Sequence, residues 1–132
     1  MAARSKPESH TRGETALVRQ QVDRWAERWI PAKFSRLLEL RTQEPGPYNY
    51  PVQVFSEWRG REFYLCVRLR TKSRRPEDDF VVRRTRMTAT GFGRFDLAYF
   101  RHTGRWFTVH TGLTAAQCFQ EIETSEVFWP TM

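Results

Sequence analysis

The sequence predicts one α+β domain: two N-terminal helices, or one kinked at Pro31, then an antiparallel meander of about five strands, then a C-terminal helix. Three observations carry this. Apolar residues recur at helical spacing over 15–42, and after a Pro/Gly cluster at 44–51 the period falls to two. Finally, a hydroxyl three residues ahead of a glutamine, Thr114 and Gln117, opens a last helical stretch. A length of 132 residues fits a single domain, 15–132, behind a flexible tail at 1–14. That tail is polar and lacks the apolar core of a secretory signal.

In the first segment Val18, Val22, Trp25, Ala26 and Trp29 fall on one stripe, with Arg19, Asp23, Arg24, Glu27 and Arg28 mostly off it. Pro31 interrupts the run. It kinks one helix, or opens a second at its first position, where proline forfeits no needed hydrogen bond. Phe34, Leu37 and Leu38 then continue an apolar face. The tryptophan stripe reads as core.

Residues 44–51 can only be loop. Val52, Val54 and Ser56 alternate with Gln53, Phe55 and Glu57 in a first strand, and Arg59-Gly60 turns the chain. Phe63, Leu65, Val67 and Leu69 then alternate with Glu62, Tyr64, Cys66, Arg68 and Arg70 in a second. Residues 71–79 form a charged loop, 80–90 a third strand, Gly91-Phe92-Gly93 a turn, and 95–101 and 106–110 two more strands. Gly60 and Gly104 are placed to take the left-handed position of short hairpins. Gly112 ends the strands. Ala115, Cys118, Phe119 and Ile122 give the last helix its apolar side, and Val127-Phe128-Trp129-Pro130 is apolar enough to fold back onto the domain.

Composition excludes several function classes. No apolar run approaches the roughly 20 residues needed to cross a bilayer, so no membrane role is expected. Cys66 and Cys118 lack metal-ligand spacing and read as reduced, half-buried thiols of a cytoplasmic, bacterial protein. There is no Walker loop, HExxH, GxSxG or zinc pattern, so neither cofactor nor metal is implied.

The charge does point somewhere. The net charge is +7 with a pI near 10.1. Divided along the chain, residues 1–58 carry net +2, residues 59–86 net +6 and residues 87–132 net −1. Arginine outnumbers lysine 19 to 3, which a GC-rich genome alone would explain, since Asn49 is the single asparagine. Position is therefore more informative than number. Strict alternation puts Arg68 and Arg70 on the Tyr64 face of the second strand, and Arg84 and Arg86 on one face of the third with Arg83 opposite. Lys72, Arg74 and Arg75 lie on the joining loop. A sheet face carrying guanidinium groups and rings suits RNA or single-stranded DNA, because bases stack on rings while arginines hold phosphates. The leading reading is thus a small non-enzymatic domain that binds RNA or single-stranded DNA through Arg68, Arg70, Lys72, Arg74, Arg75, Arg84, Arg86 and Tyr64.

Two alternatives accompany it. An exposed aromatic patch of Phe100, Trp106 and the Phe128-Trp129 tail would make a protein-interaction module. A small ribonuclease would use His102 or His110 with Arg101, Arg105 and Glu57 for proton transfer and charge stabilisation. The helix-helix-sheet order and the basic charge resemble those of small bacterial mRNA-cleaving toxins of the RelE type. That resemblance lies in order and charge alone, and implies no residue roles here.

Overall fold

In the computed structural model the described residues are 2–130, with side chains over 15–130. The stretch 1–14, read from the sequence as a tail, lies outside the residues whose side chains are described. The chain forms α1 (Ala2–Gln43), β1 (Tyr50–Arg59), β2 (Glu62–Arg70), β3 (Phe80–Gly91), β4 (Arg94–Phe100), β5 (Trp106–Thr114) and α2 (Ala115–Thr124), with short 3-10 turns at Pro76–Asp78 and Glu126–Phe128. The five strands form one antiparallel sheet in sequence order, the expected meander. No described helix is long and apolar enough to cross a membrane.

The N-terminal helix is one helix, not two, and Pro31 breaks nothing. Proline inside a helix removes a hydrogen bond and crowds the preceding turn, at a cost of about 3 kcal/mol. Packing outweighs that cost. Val22, Trp25 and Ala26 before the proline and Phe34 after it are all buried, with Trp29 and Ile30 half-buried between them. Each large apolar side chain removed from water contributes roughly 1.5–3 kcal/mol. Both halves of α1 dock on the same sheet, so they remain one helix.

The core lies on that side of the sheet. Phe63, Leu65, Met87, Phe95 and Leu97 meet Trp25 and Ala26 of α1 and Cys118 and Ile122 of α2. A smaller cluster joins Phe34 to Val54, Val67 and Leu69. Trp25 stacks on Phe119 at 4.5 Å, bringing the two helices together. Its indole N–H donates to Glu123 at 2.7 Å. The apolar end of the chain folds back as expected: Phe128 is buried, its carbonyl accepts from the buried Thr85 hydroxyl, and the Trp129 indole N–H donates to the Ile122 carbonyl at 2.7 Å.

The capping box at Thr114 and Gln117 forms in both directions. Gly60 and Gly104 take positive φ at the tips of their hairpins. Gly112, expected to end the strands, instead sits within β5 at φ +68, and its N–H donates to the Asp96 carboxylate at 3.1 Å. This irregularity lets the strand bend and keep pairing to Thr114, opposite Arg94.

Both helices and the C-terminal turn occupy one face, and no described element covers the other. This packing sets the expected cost of two substitutions. Phe128→Ala, which empties a site in the main core, should lower the unfolding free energy by about 3–5 kcal/mol in urea. Pro31→Ala should raise it by about 1–3 kcal/mol by restoring the lost N–H.

Candidate nucleic-acid interface

Side chains alternate along each strand, so the bare face is read directly from the register. Phe55 and Glu57 of β1 pair with Cys66 and Tyr64 of β2. Tyr64 pairs with Arg86 of β3, which pairs in turn with Ala98 of β4, and Phe100 pairs with Trp106 of β5. The alternation breaks once in β3. Leu65 faces Thr85 while the next residue, Cys66, faces Arg83, leaving Arg84 as an extra, unmatched residue. The bulge corrects the expectation from strict alternation: Arg83, not Arg84, joins Arg68 and Arg86 on the bare face.

There the guanidinium groups of three arginines stand over aromatic rings. The guanidinium of Arg68 is 5.8 Å from the centre of Phe55, that of Arg83 is 5.3 Å from Tyr64, and that of Arg86 is 4.7 Å from Trp106. Trp106 packs against Phe100 at 5.3 Å and Tyr64 at 5.8 Å. Acceptors hold two of the cations: Arg83 bridges to Glu57 at 2.8 Å and Arg68 donates to Gln53 at 3.1 Å, whereas Arg86 Nε, 4.0 Å from Glu62, is buried without a hydrogen-bond partner among the described residues. The layer is tight enough that Cys66 is wholly buried although no helix lies over it. Burial, reinforced by nearby Glu57, pushes its thiol up to about 12. Burial also raises the Tyr64 phenol, and the Glu62 carboxylate that accepts its proton at 2.7 Å raises it further.

The other expected site residues go elsewhere. Arg70 is held by Asp79 through two parallel 3.0 Å hydrogen bonds, which raise the arginine and lower the carboxyl. It pins the β2–β3 connection. Lys72, Arg74 and Arg75 are exposed on that connection, Arg75 paired with Asp78 at 3.1 Å. Arg84 lines a shallow cleft of about 310 Å³ with Tyr99, Phe100, Arg101, His102 and Val127, its Nε buried without a hydrogen-bond partner among the described residues. The single cluster of eight residues therefore resolves into a face group (Tyr64, Arg68, Arg86), a pinned Arg70, an exposed loop and a separate Arg84. Arg83, Phe55 and Trp106 complete the face group. Phe55 could have been placed from its alternation with Val54, but Arg83 required knowledge of the bulge.

The residues of the two alternative readings also separate. His110 lies 3.0 Å from Glu121 of α2 and faces the helices, His102 is exposed in the β4–β5 loop, and Glu57 is on the bare face. Phe100 and Trp106 stack on the bare face, whereas Phe128 is in the core and Trp129 packs by Phe34. The expected aromatic patch is thus split between two sides. Among the described residues no group of three or more His, Cys, Asp or Glu is gathered to hold a metal ion.

Residues 11–130 match the model of a protein family described as a domain of unknown function (DUF3024). No curated protein and no solved structure matches the chain.

The arginine layer can be tested through the thiol beneath it. In the native protein at mildly alkaline pH, Cys66 and Cys118, both pushed up to about 12 by burial, should resist a thiol-disulfide reagent, and both should react after unfolding. Arg83→Ala should speed modification of Cys66 by about tenfold or more, with Cys118 as the internal control. Equal slow rates at both thiols in that variant would show that Arg83 is not the cover.

Proposed function

The chain belongs to the DUF3024 family, and we propose that it binds single-stranded nucleic acid, RNA or DNA, across the bare face of its sheet without acting on it chemically. One observation carries the reading: three arginines from adjacent strands lie over aromatic rings on a face that no helix covers. A guanidinium resting on a ring keeps edge N–H groups free for phosphate oxygens while its flat side remains satisfied. Where a base replaces the guanidinium, the ring beneath supplies a stacking surface worth about 1–3 kcal/mol per base. Both devices require unstacked bases, which favours single strands over duplex. Glu57 grips Arg83 and Glu62 stands beside Arg86, and both arginine side chains stay partly exposed to a ligand. A net charge of +7 speeds the encounter with a polyanion.

Fluorescence anisotropy with a short mixed-sequence strand, as RNA and as DNA, tests this. Trp106→Ala should weaken binding by about 1–3 kcal/mol. Arg68→Ala with Arg83→Ala should weaken it further and flatten the dependence of log K on log salt by about 0.7 for each phosphate no longer neutralised. An unchanged affinity and salt slope in that double variant, or tighter binding of the matching duplex, would overturn the proposal.

A further inference from the structure

A second cationic site stands on the opposite side of the sheet. Residues 15–19 of α1 and the tips of the β1–β2 and β3–β4 hairpins enclose a cleft of about 310 Å³. Its lining carries the guanidinium groups of Arg19, Arg61 and Arg94 and, among the described residues, no carboxylate. Its apolar surfaces are Val18, Trp58 and Phe92. Trp58, Arg19 and Arg94 are each held, and among the described residues none of the three arginines is paired with a carboxylate. The Trp58 indole donates to Asp23 at 2.9 Å, from outside the lining, and Arg19 lies 4.3 Å over the Trp58 ring. Arg19 donates to the Gly60 carbonyl, and Arg94 donates to the Gly112 carbonyl at 3.2 Å. Backbone carbonyls thus hold two of the cations, and among the described residues no carboxylate pairs with either.

Phe92 provides an independent observation. It occupies the first tip position of the β3–β4 hairpin at φ +55, followed by Gly93 at φ +71. A two-residue turn with both residues left-handed is ordinarily made by Asn-Gly or Gly-Gly, because a side chain there crowds the backbone. Phe92 bears that strain and gains little burial for it, since the residue is 72% exposed. Neither turn formation nor core packing accounts for an aromatic ring at this point. Strain of this kind, held at the lip of a cleft, marks a functional position.

We propose that the cleft binds a small organic anion with a flat aromatic body. Arg61 and Arg94 take the head group by charge-assisted hydrogen bonds, and the ring system lies under Phe92, beside the Trp58 ring that Arg19 covers. The volume admits one ring system with its head group, at the small end of ligand pockets. An aryl carboxylate and a nucleoside monophosphate share this chemistry. The site is independent of the bare face and of any strand bound there.

Calorimetry with naphthoate and adenosine monophosphate, each beside its neutral counterpart (naphthamide and adenosine), decides the matter. At least one anion should bind saturably and about tenfold or more tighter than its neutral partner, and the tighter of the two identifies the ligand class. Arg61→Ala with Arg94→Ala should abolish that preference. Phe92→Gly should raise Tm, by relieving the turn, and yet weaken the anion about tenfold, a combination that a purely structural residue does not give. Arg68→Ala with Arg83→Ala should leave anion binding unchanged. Absence of binding by both anions, equal binding of the neutral compounds, or full affinity in the Arg61/Arg94 variant overturns the site; full affinity in Phe92→Gly overturns the role of its ring.

Discussion

One-sided packing is the constraint on which the rest of this domain depends. A five-stranded sheet has two faces, and among the described residues helices cover only one. On that face Trp25, Phe34, Phe63, Leu65, Phe95 and Phe128 are removed from water by two helices and a returning tail. The opposite face still carries Phe55, Tyr64, Cys66, Ala98, Phe100 and Trp106, too much apolar surface to leave bare. Arginine covers it. The guanidinium groups of Arg83 and Arg86 lie over Tyr64 and Trp106, covering apolar surface while both side chains stay partly exposed. Guanidinium is more weakly hydrated than ammonium, so a layer of this kind loses less in desolvation than one of lysines. The same layer leaves a surface of rings and cations on that face.

The carboxylates within this arrangement do two kinds of work. Glu57 and Glu62 sit within the bare face and orient the arginines there, leaving them partly exposed. Asp79 does the opposite at the end of β2. Its bidentate grip on Arg70 takes that cation out of the exposed set and fixes the path of the connecting loop. Because the Asp79 carboxyl is held below its ordinary range, its stabilising contribution is present above the unfolded carboxylate pKa and is lost as pH falls through the lowered folded value. The pin therefore holds through neutral pH and releases only in acid. Arg70 and Arg68 have the same sequence parity, and what separates their fates is a carboxylate nine residues away.

Local signals in the sequence are reliable wherever a single residue type has a single physical use. The alternation of 62–70, the positive-φ glycines at the hairpin tips and the Thr114 capping box all appear where the chain chemistry puts them. Those signals mislead where local preference meets tertiary packing. Pro31 disfavours helix continuation, but the buried side chains on both sides of it are worth more than one lost hydrogen bond. The β3 bulge is illegible for another reason. It falls within Val82-Arg83-Arg84-Thr85, where no glycine or proline marks it, and a bulge of one residue reverses every parity assignment on its far side. That one residue exchanges Arg83 for Arg84 at the centre of the candidate interface.

The abundance of arginine has a compositional explanation that no count can exclude, since a chain with 19 arginines to 3 lysines will place arginine over rings more often than lysine by number alone. Placement is a stronger discriminator. A codon bias acts on every position alike and accounts for exposed arginines such as Arg24, Arg28 and Arg36 on the helix and Arg74, Arg75 and Arg105 in loops. Here Arg68, Arg83 and Arg86 come from adjacent strands onto one uncovered face, each over a different ring, while Arg19 lies over Trp58 on the other side of the sheet. At such positions the planar shape of the guanidinium matters as much as its charge, so lysine is no equivalent. Codon usage can supply arginines in this number, and one-sided packing determines which of them meet the rings of the sheet.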